Sequence, residues 1–115
     1  MFITEKRVLD ELVEEMKGLP YLYDKVEEMI VFGSRVRGDF TGESDFDVLI
    51  IVREKDVRTE TALIEFFGKQ EDLTAIPFSL VIKDKKVFEK EKRYKTGFAR
   101  AIEEEGITIY RKERS

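Results

Sequence analysis

Residues 31–52, VFGSRVRGDFTGESDFDVLIIV, decide how the rest of the chain is read. Met29 to Phe32 are apolar and predict a strand that stops at Gly33, where the missing Cβ lets the backbone turn and a ligand approach closely. Ser34 suits the start of a helical turn near Arg35 to Arg37. A hydroxyl and bare amides at the positive end of a helix dipole form a seat for phosphate. Beyond a loop from Gly38 to Ser44, Asp45 and Asp47 open the apolar run Val48 to Val52. Residues two apart in a strand share a face, so the two carboxylates project side by side and call for a counter-ion.

Composition narrows the chemistry available to this stretch. The 115 residues suffice for one small domain, 1–115, with a single core. At 42% hydrophobic and 40% charged, the chain is a folded one with a heavily ionised surface. Without Cys or His there are no disulfides, no zinc–thiolate sites and no imidazole acid–base chemistry. Carboxylates, amines, hydroxyls and hard metal ions remain. Asn is also absent, a single Gln occurs, and Glu, Lys and Arg abound, a balance that resembles proteins from hot environments.

Met1 to Gly18 is charged throughout, which fits neither a signal peptide nor a membrane span, so a cytoplasmic location is expected. A net charge of -4 argues against generic binding to a nucleic-acid backbone. Lys83 to Arg100 is locally basic, either facing an anion or forming a solvated helix face.

Outward from the central stretch, Phe2 to Met16 carries Ile3, Val8, Leu9, Leu12, Val13 and Met16 at helical spacing, with Thr4 as a possible cap and Gly18 and Pro20 as the stop. Strands are predicted at Val26 to Phe32 and Asp45 to Val52. The second is so apolar that helices should cover both its faces. Asp56 to Lys69 predicts a helix closed near Gly68. Ile76 to Ile82 predicts a strand opened by Pro77, with Ile76, Phe78, Leu80 and Ile82 on one face and Ser79, Val81 and Lys83 on the other. Lys86 to Glu105 reads as helix broken near Gly97, and Ile107 to Tyr110 as a last strand. The order α, β, α, β, α, β, α, β makes an α/β (α+β) domain, a mixed sheet flanked by helices.

Side-by-side aspartates on a rigid strand suit divalent cations such as Mg2+, which prefers oxygen ligands and substrate phosphates. In two-metal sites the ions lie ~3.5–4 Å apart and stabilise the attacking and leaving oxygens of an in-line displacement. Arg35 and Arg37 are candidates to neutralise phosphate, or are exposed surface residues; spacing leaves both open.

Gly33 and Ser34 followed after ten residues by Asp45, Phe46 and Asp47 resemble the signature of the DNA polymerase beta-like nucleotidyltransferase superfamily. FGSRVRGDFTGESDFDVLIIV is similar in particular to its minimal nucleotidyltransferase branch, Arg37, Gly38, Asp39 and Ser44 included, and the ending EEEGITIYRK resembles the small prokaryotic members. The resemblance implies the nucleotidyltransferase fold and transfer of a nucleoside monophosphate from an NTP, with ATP the expected one, to an acceptor hydroxyl. Mg2+ or Mn2+ would be the cofactor and pyrophosphate the product. It assigns Gly33 and Ser34 to the triphosphate and Asp45 and Asp47 to the metal as catalytic carboxylates; Arg35 and Arg37 stay candidates for cofactor binding by their position beside the turn.

The family's third carboxylate, on the following strand, is matched here by Ser79, which is a poor metal ligand and no carboxylate base. Asp84, five residues on, would lie ~16 Å away. Glu43 or Glu71 would have to swing in from a loop. The branch also resembles antitoxins that work with a HEPN-domain ribonuclease toxin, some transferring AMP to a toxin tyrosine and others acting by binding. A HEPN-domain protein or a homo-oligomer is therefore the expected assembly, with no membrane and nucleic acid only as acceptor. A structural domain in which the aspartates merely begin a strand is the remaining alternative.

Overall fold

The computed structural model describes residues 3–38 and 45–113. Glu43 and the motif residues Asp39 and Ser44 lie outside them, as does most of the expected Gly38 to Ser44 loop. In chain order the elements are α1 (Ile3–Lys17), α2 (Pro20–Lys25), β1 (Val26–Phe32), α3 (Ser34–Arg37), β2 (Phe46–Val52), α4 (Val57–Thr74), β3 (Phe78–Asp84), α5 (Lys85–Tyr94), α6 (Gly97–Glu105) and β4 (Ile107–Arg111). The strands form one mixed sheet in the order β3-β2-β1-β4. β2 runs parallel to β3 and antiparallel to β1, which is antiparallel to β4. This is the small α+β domain that the sequence predicts.

The central position of β2 explains its composition. Phe46, Val48, Ile50 and Val52 join Leu9, Leu12, Met16, Leu22, Leu63 and Phe67 in a core beneath α1, α2 and α4. Leu49 and Ile51 join Ile30, Phe88, Ala99 and Ile102 in a second core beneath α5 and α6. Both faces of the strand are covered, as a continuous apolar run requires. The alternation in β3 follows suit: Phe78, Leu80 and Ile82 belong to the first core or pack against it, and Val81 packs against the second.

Three local expectations are corrected, and the expected helix break near Gly97 is found. Thr4 falls inside α1 and does not cap it, because the helix already includes Ile3. Pro20 starts a helix that the sequence reading lacks, occupying a first-turn position where its missing N–H costs nothing. Gly68 does not close α4: Phe66, Phe67 and Gln70 stay buried around it and carry the helix to Thr74, where Ala75 ends it in the left-handed conformation at φ 59°. The break in the last helical stretch falls at Lys95 and Thr96. Lys95 is left-handed at φ 53° and Thr96 caps α6 by accepting from the Ala99 N–H, so Gly97 is the first helical residue.

The basic segment becomes mostly the solvated face of α5, with Lys86, Lys90, Lys92 and Arg93 exposed. Among the described residues no helix is long and apolar enough to cross a membrane.

Candidate active site

Gly33 joins β1 to α3 at φ 86° and ψ -164°, a backbone state essentially confined to glycine. The amides of Val36 and Arg37 both close on its carbonyl at 3.1 Å, which winds α3 tightly from this point. Ser34 opens the turn, and the first amides of a helix have no intrahelical acceptor. Space is as decisive as torsion. A Cβ built on Gly33 would overlap Asp47 Oδ2 and stand 3.1 Å from Asp47 Cγ. The turn is therefore a cradle into which the Asp47 carboxylate fits because position 33 has no side chain.

Strand pairing sets the remaining geometry. Asp47 is in register with Phe32 on β1 and with Ser79 on β3, so the three form one row across the sheet on the α5/α6 face. Asp45 sits two residues earlier, exposed, just before β2 begins. The carboxyl pKa of Asp47 is raised, first by burial and then by the Asp45 charge, while the Arg37 guanidinium pulls the other way. Two carboxylates in each other's field, one of them partly desolvated, form an oxygen donor set that a hard divalent cation would relieve.

The two arginines point to different surroundings. Arg35 turns into the body, where its Nε lies 3.4 Å from Glu5 Oε2 of α1, both side chains only about a tenth exposed, and its guanidinium covers the Phe46 ring at 4.8 Å. Arg37 is the more exposed, and its Nη1 donates to Glu105 Oε2 at 3.0 Å.

Two of the carboxylates considered for a third role, Glu71 and Asp84, serve elsewhere. Glu71 lies in α4 rather than in a loop, and its Oε1 accepts from the Phe78 N–H at 2.6 Å, tying helix to strand. Asp84 caps α5 by accepting from the Lys86 N–H at 2.8 Å. Among the described residues no group of three carboxylates is arranged so that it could hold a metal ion. A concavity of about 770 Å3, with Glu27, Glu28, Glu89, Lys85, Lys92 and Arg111 in its lining, contains none of Gly33, Ser34, Arg35, Arg37, Asp45 and Asp47.

Residues 9–109 match the model of the nucleotidyltransferase domain, most of the chain. The chain belongs to the nucleotidyltransferase-domain family. Two relatives from Methanocaldococcus jannaschii both carry the provisional name protein adenylyltransferase. One is 31% identical over 102 residues, covering 86% of this chain and 96% of its own length. The other is 28% identical over 108 residues, covering 94% and 100%. The fold also matches a provisionally named nucleotidyltransferase from Sulfolobus solfataricus at a TM-score of 0.56 and 20% identity, over 97% of this chain and 85% of that one. A toxin–antitoxin structure with AMP-PNP matches at 0.58 and 13%, over 90% and 74%.

A nucleoside triphosphate and a divalent metal are general requirements of this nucleotidyltransferase family. The carboxylate pair and the Gly33 cradle are of the right chemistry to hold them. Glu5 and Glu105, which engage the two arginines of the site, went unnoticed in the sequence. Nothing in their spacing marks them, for each lies in an acidic helix segment that reads as solvated surface.

Proposed function

We propose that this nucleotidyltransferase domain binds Mg-ATP and transfers AMP to a hydroxyl of a protein partner. The carrying observation is the Gly33 cradle closed on Asp47, which joins a phosphate turn to a metal-type carboxylate pair at one point of the sheet. Gly33 and Ser34 hold the triphosphate at the turn, Arg37 neutralises its charge from the end of α3, and Arg35 braces the turn from behind through Glu5. Asp45 and Asp47 hold the metal, which when bound neutralises charge on the phosphates in the displacement. The acceptor oxygen bonds to the α-phosphorus, the bond to the bridging oxygen breaks, pyrophosphate leaves, and the hydroxyl proton passes to a base. The provisional names of the two archaeal relatives support a protein acceptor.

Saturating Mg-ATP is expected to raise the melting temperature of the wild-type protein, and Asp45→Ala or Asp47→Ala to abolish the rise. An unmoved wild-type midpoint would sink the reading.

Ser79 favours a second reading. It occupies the strand position in register with Asp47, where the family resemblance calls for a carboxylate. A chain lacking that base binds nucleotide and turns it over weakly, acting chiefly as the antitoxin partner of a HEPN-domain toxin; a toxin–antitoxin among the fold neighbours is consistent with this. Ser79→Asp is then expected to increase AMP transfer from α-phosphorus-labelled ATP. Unchanged transfer with nucleotide binding retained would count against Ser79 as the vacant position.

A further inference from the structure

We propose that the groove between α4 and the outer strand β3 is where a second copy of this chain docks, with Ile64 of each copy seated against Gly68 of the other. The groove, about 270 Å3, is lined by Ile64, Phe67, Gly68, Glu71, Phe78 and Leu80. Phe67 and Phe78 lie deepest in it, their rings meeting near edge-on at 5.3 Å. β3 stands at the end of the sheet, and among the described residues no strand covers its outer side. Only Phe78 of this strand is buried, whereas the neighbouring β2 is buried almost throughout.

Gly68 indicates what approaches. A glycine inside a helix weakens it relative to alanine, through backbone entropy. Nothing within the described chain requires one here: a Cβ at this position would meet no atom within 4 Å, and α4 runs on through it to Thr74. The missing side chain instead suits a neighbour from outside, because the side chains at a helix–helix contact set how closely the axes approach.

Ile64 stands one turn earlier on the same face and is 60% exposed. A lone exposed isoleucine is ordinary. Here a protruding side chain and a gap lie four residues apart, beside an apolar groove. A two-fold axis crossing α4 between them sets the helix antiparallel to its copy and brings each Ile64 opposite the other copy's Gly68, the self-complementarity that an isologous contact requires. The same pairing sets Glu71 opposite Thr61 of the second copy, whose hydroxyl can donate to the carboxylate. An unrelated partner would need no such match of protrusion and gap. The groove also lies on the face of β3 opposite Ser79, so this inference is independent of the nucleotide reading.

Sedimentation equilibrium of the whole protein over a range of concentrations is expected to show reversible association to a dimer. Ile64→Ala should raise the dimer Kd at least about tenfold, since a two-fold contact meets the lost side chain twice. Gly68→Ala should act in opposite senses, raising the melting temperature of the dissociated monomer while weakening the dimer. Leu73, 73% exposed on the opposite side of α4, provides the control, and Leu73→Ala should leave the dimer unchanged. Because the chain contains no cysteine, Ile64→Cys mixed with Gly68→Cys should give on oxidation a covalent dimer joined between those positions, and Leu73→Cys should give none.

A wild-type protein that stays monomeric at every concentration would overturn the proposal. So would a dimer that neither Ile64→Ala nor Gly68→Ala weakens, or one that cross-links through Leu73→Cys instead.

Discussion

Glu5→Ala is expected to destabilise the domain by about 3–5 kcal/mol, the range for removing one partner of a buried ion pair. The carboxylate and the Arg35 guanidinium face each other at 3.4 Å with side-chain exposures of only 9% and 11%, so solvent screening is weak. Arg35 cannot withdraw to water without leaving the Phe46 ring it covers. Truncation at position 5 thus removes a buried counter-charge from Arg35 between α1, α3 and the start of β2, beside the Gly33 turn. Urea denaturation of the wild type and the variant measures the difference directly.

A paired replacement separates the charge from the packing. Glu5→Leu with Arg35→Met removes both ions and fills similar volume, which in buried pairs is often neutral or better, so most of the lost stability should return. Under the proposed function, in which Arg37 and not Arg35 meets the phosphate, Mg-ATP should still raise the melting temperature of the paired variant. A loss below about 1 kcal/mol in Glu5→Ala would mean that the pair behaves like a surface one. Failure of the paired variant to bind nucleotide would return Arg35 to the phosphates.

The contrast between Arg35 and Arg37 shows where sequence reading stops. Alternation made the β2 and β3 faces legible, including Ser79 on the face opposite Phe78, because a period of two follows from strand geometry alone. The turn at Gly33 was legible because only a few residue types suit such a backbone. Long-range partners leave no such trace. Glu5 sits 30 positions before Arg35 and Glu105 sits 68 after Arg37, in helices whose acidic residues resemble any solvated face.

Helix ends were misjudged for a related reason. Gly68 is a breaker by propensity, yet burial of Phe66, Phe67 and Gln70 around it carries α4 on to Thr74. Pro20 read as a stop where it is a start. The same residue serves either purpose, and only the burial of Leu22 beyond it distinguishes them.

Gly33→Ala should remove nucleotide binding although it deletes none of the charged groups of the site. Two penalties meet at this position. At φ 86° and ψ -164° a residue with a Cβ is strained by about 1–3 kcal/mol, and its methyl group would overlap Asp47 Oδ2. Asp47 is the side chain best placed to swing aside, since β1 and β2 are held together by their ladder around Phe32 and Asp47. The strain should therefore appear as lower melting temperature, and the displaced carboxylate as loss of the Mg-ATP-induced rise. Adding Asp47→Gly to Gly33→Ala relieves the overlap and should recover part of the unliganded stability, though not the torsional part. It cannot recover the ligand response, because the carboxylate is gone. If Gly33→Ala alone still responds to Mg-ATP as the wild type does, the carboxylate does not need the cradle, and the link between phosphate turn and metal pair fails at its narrowest point.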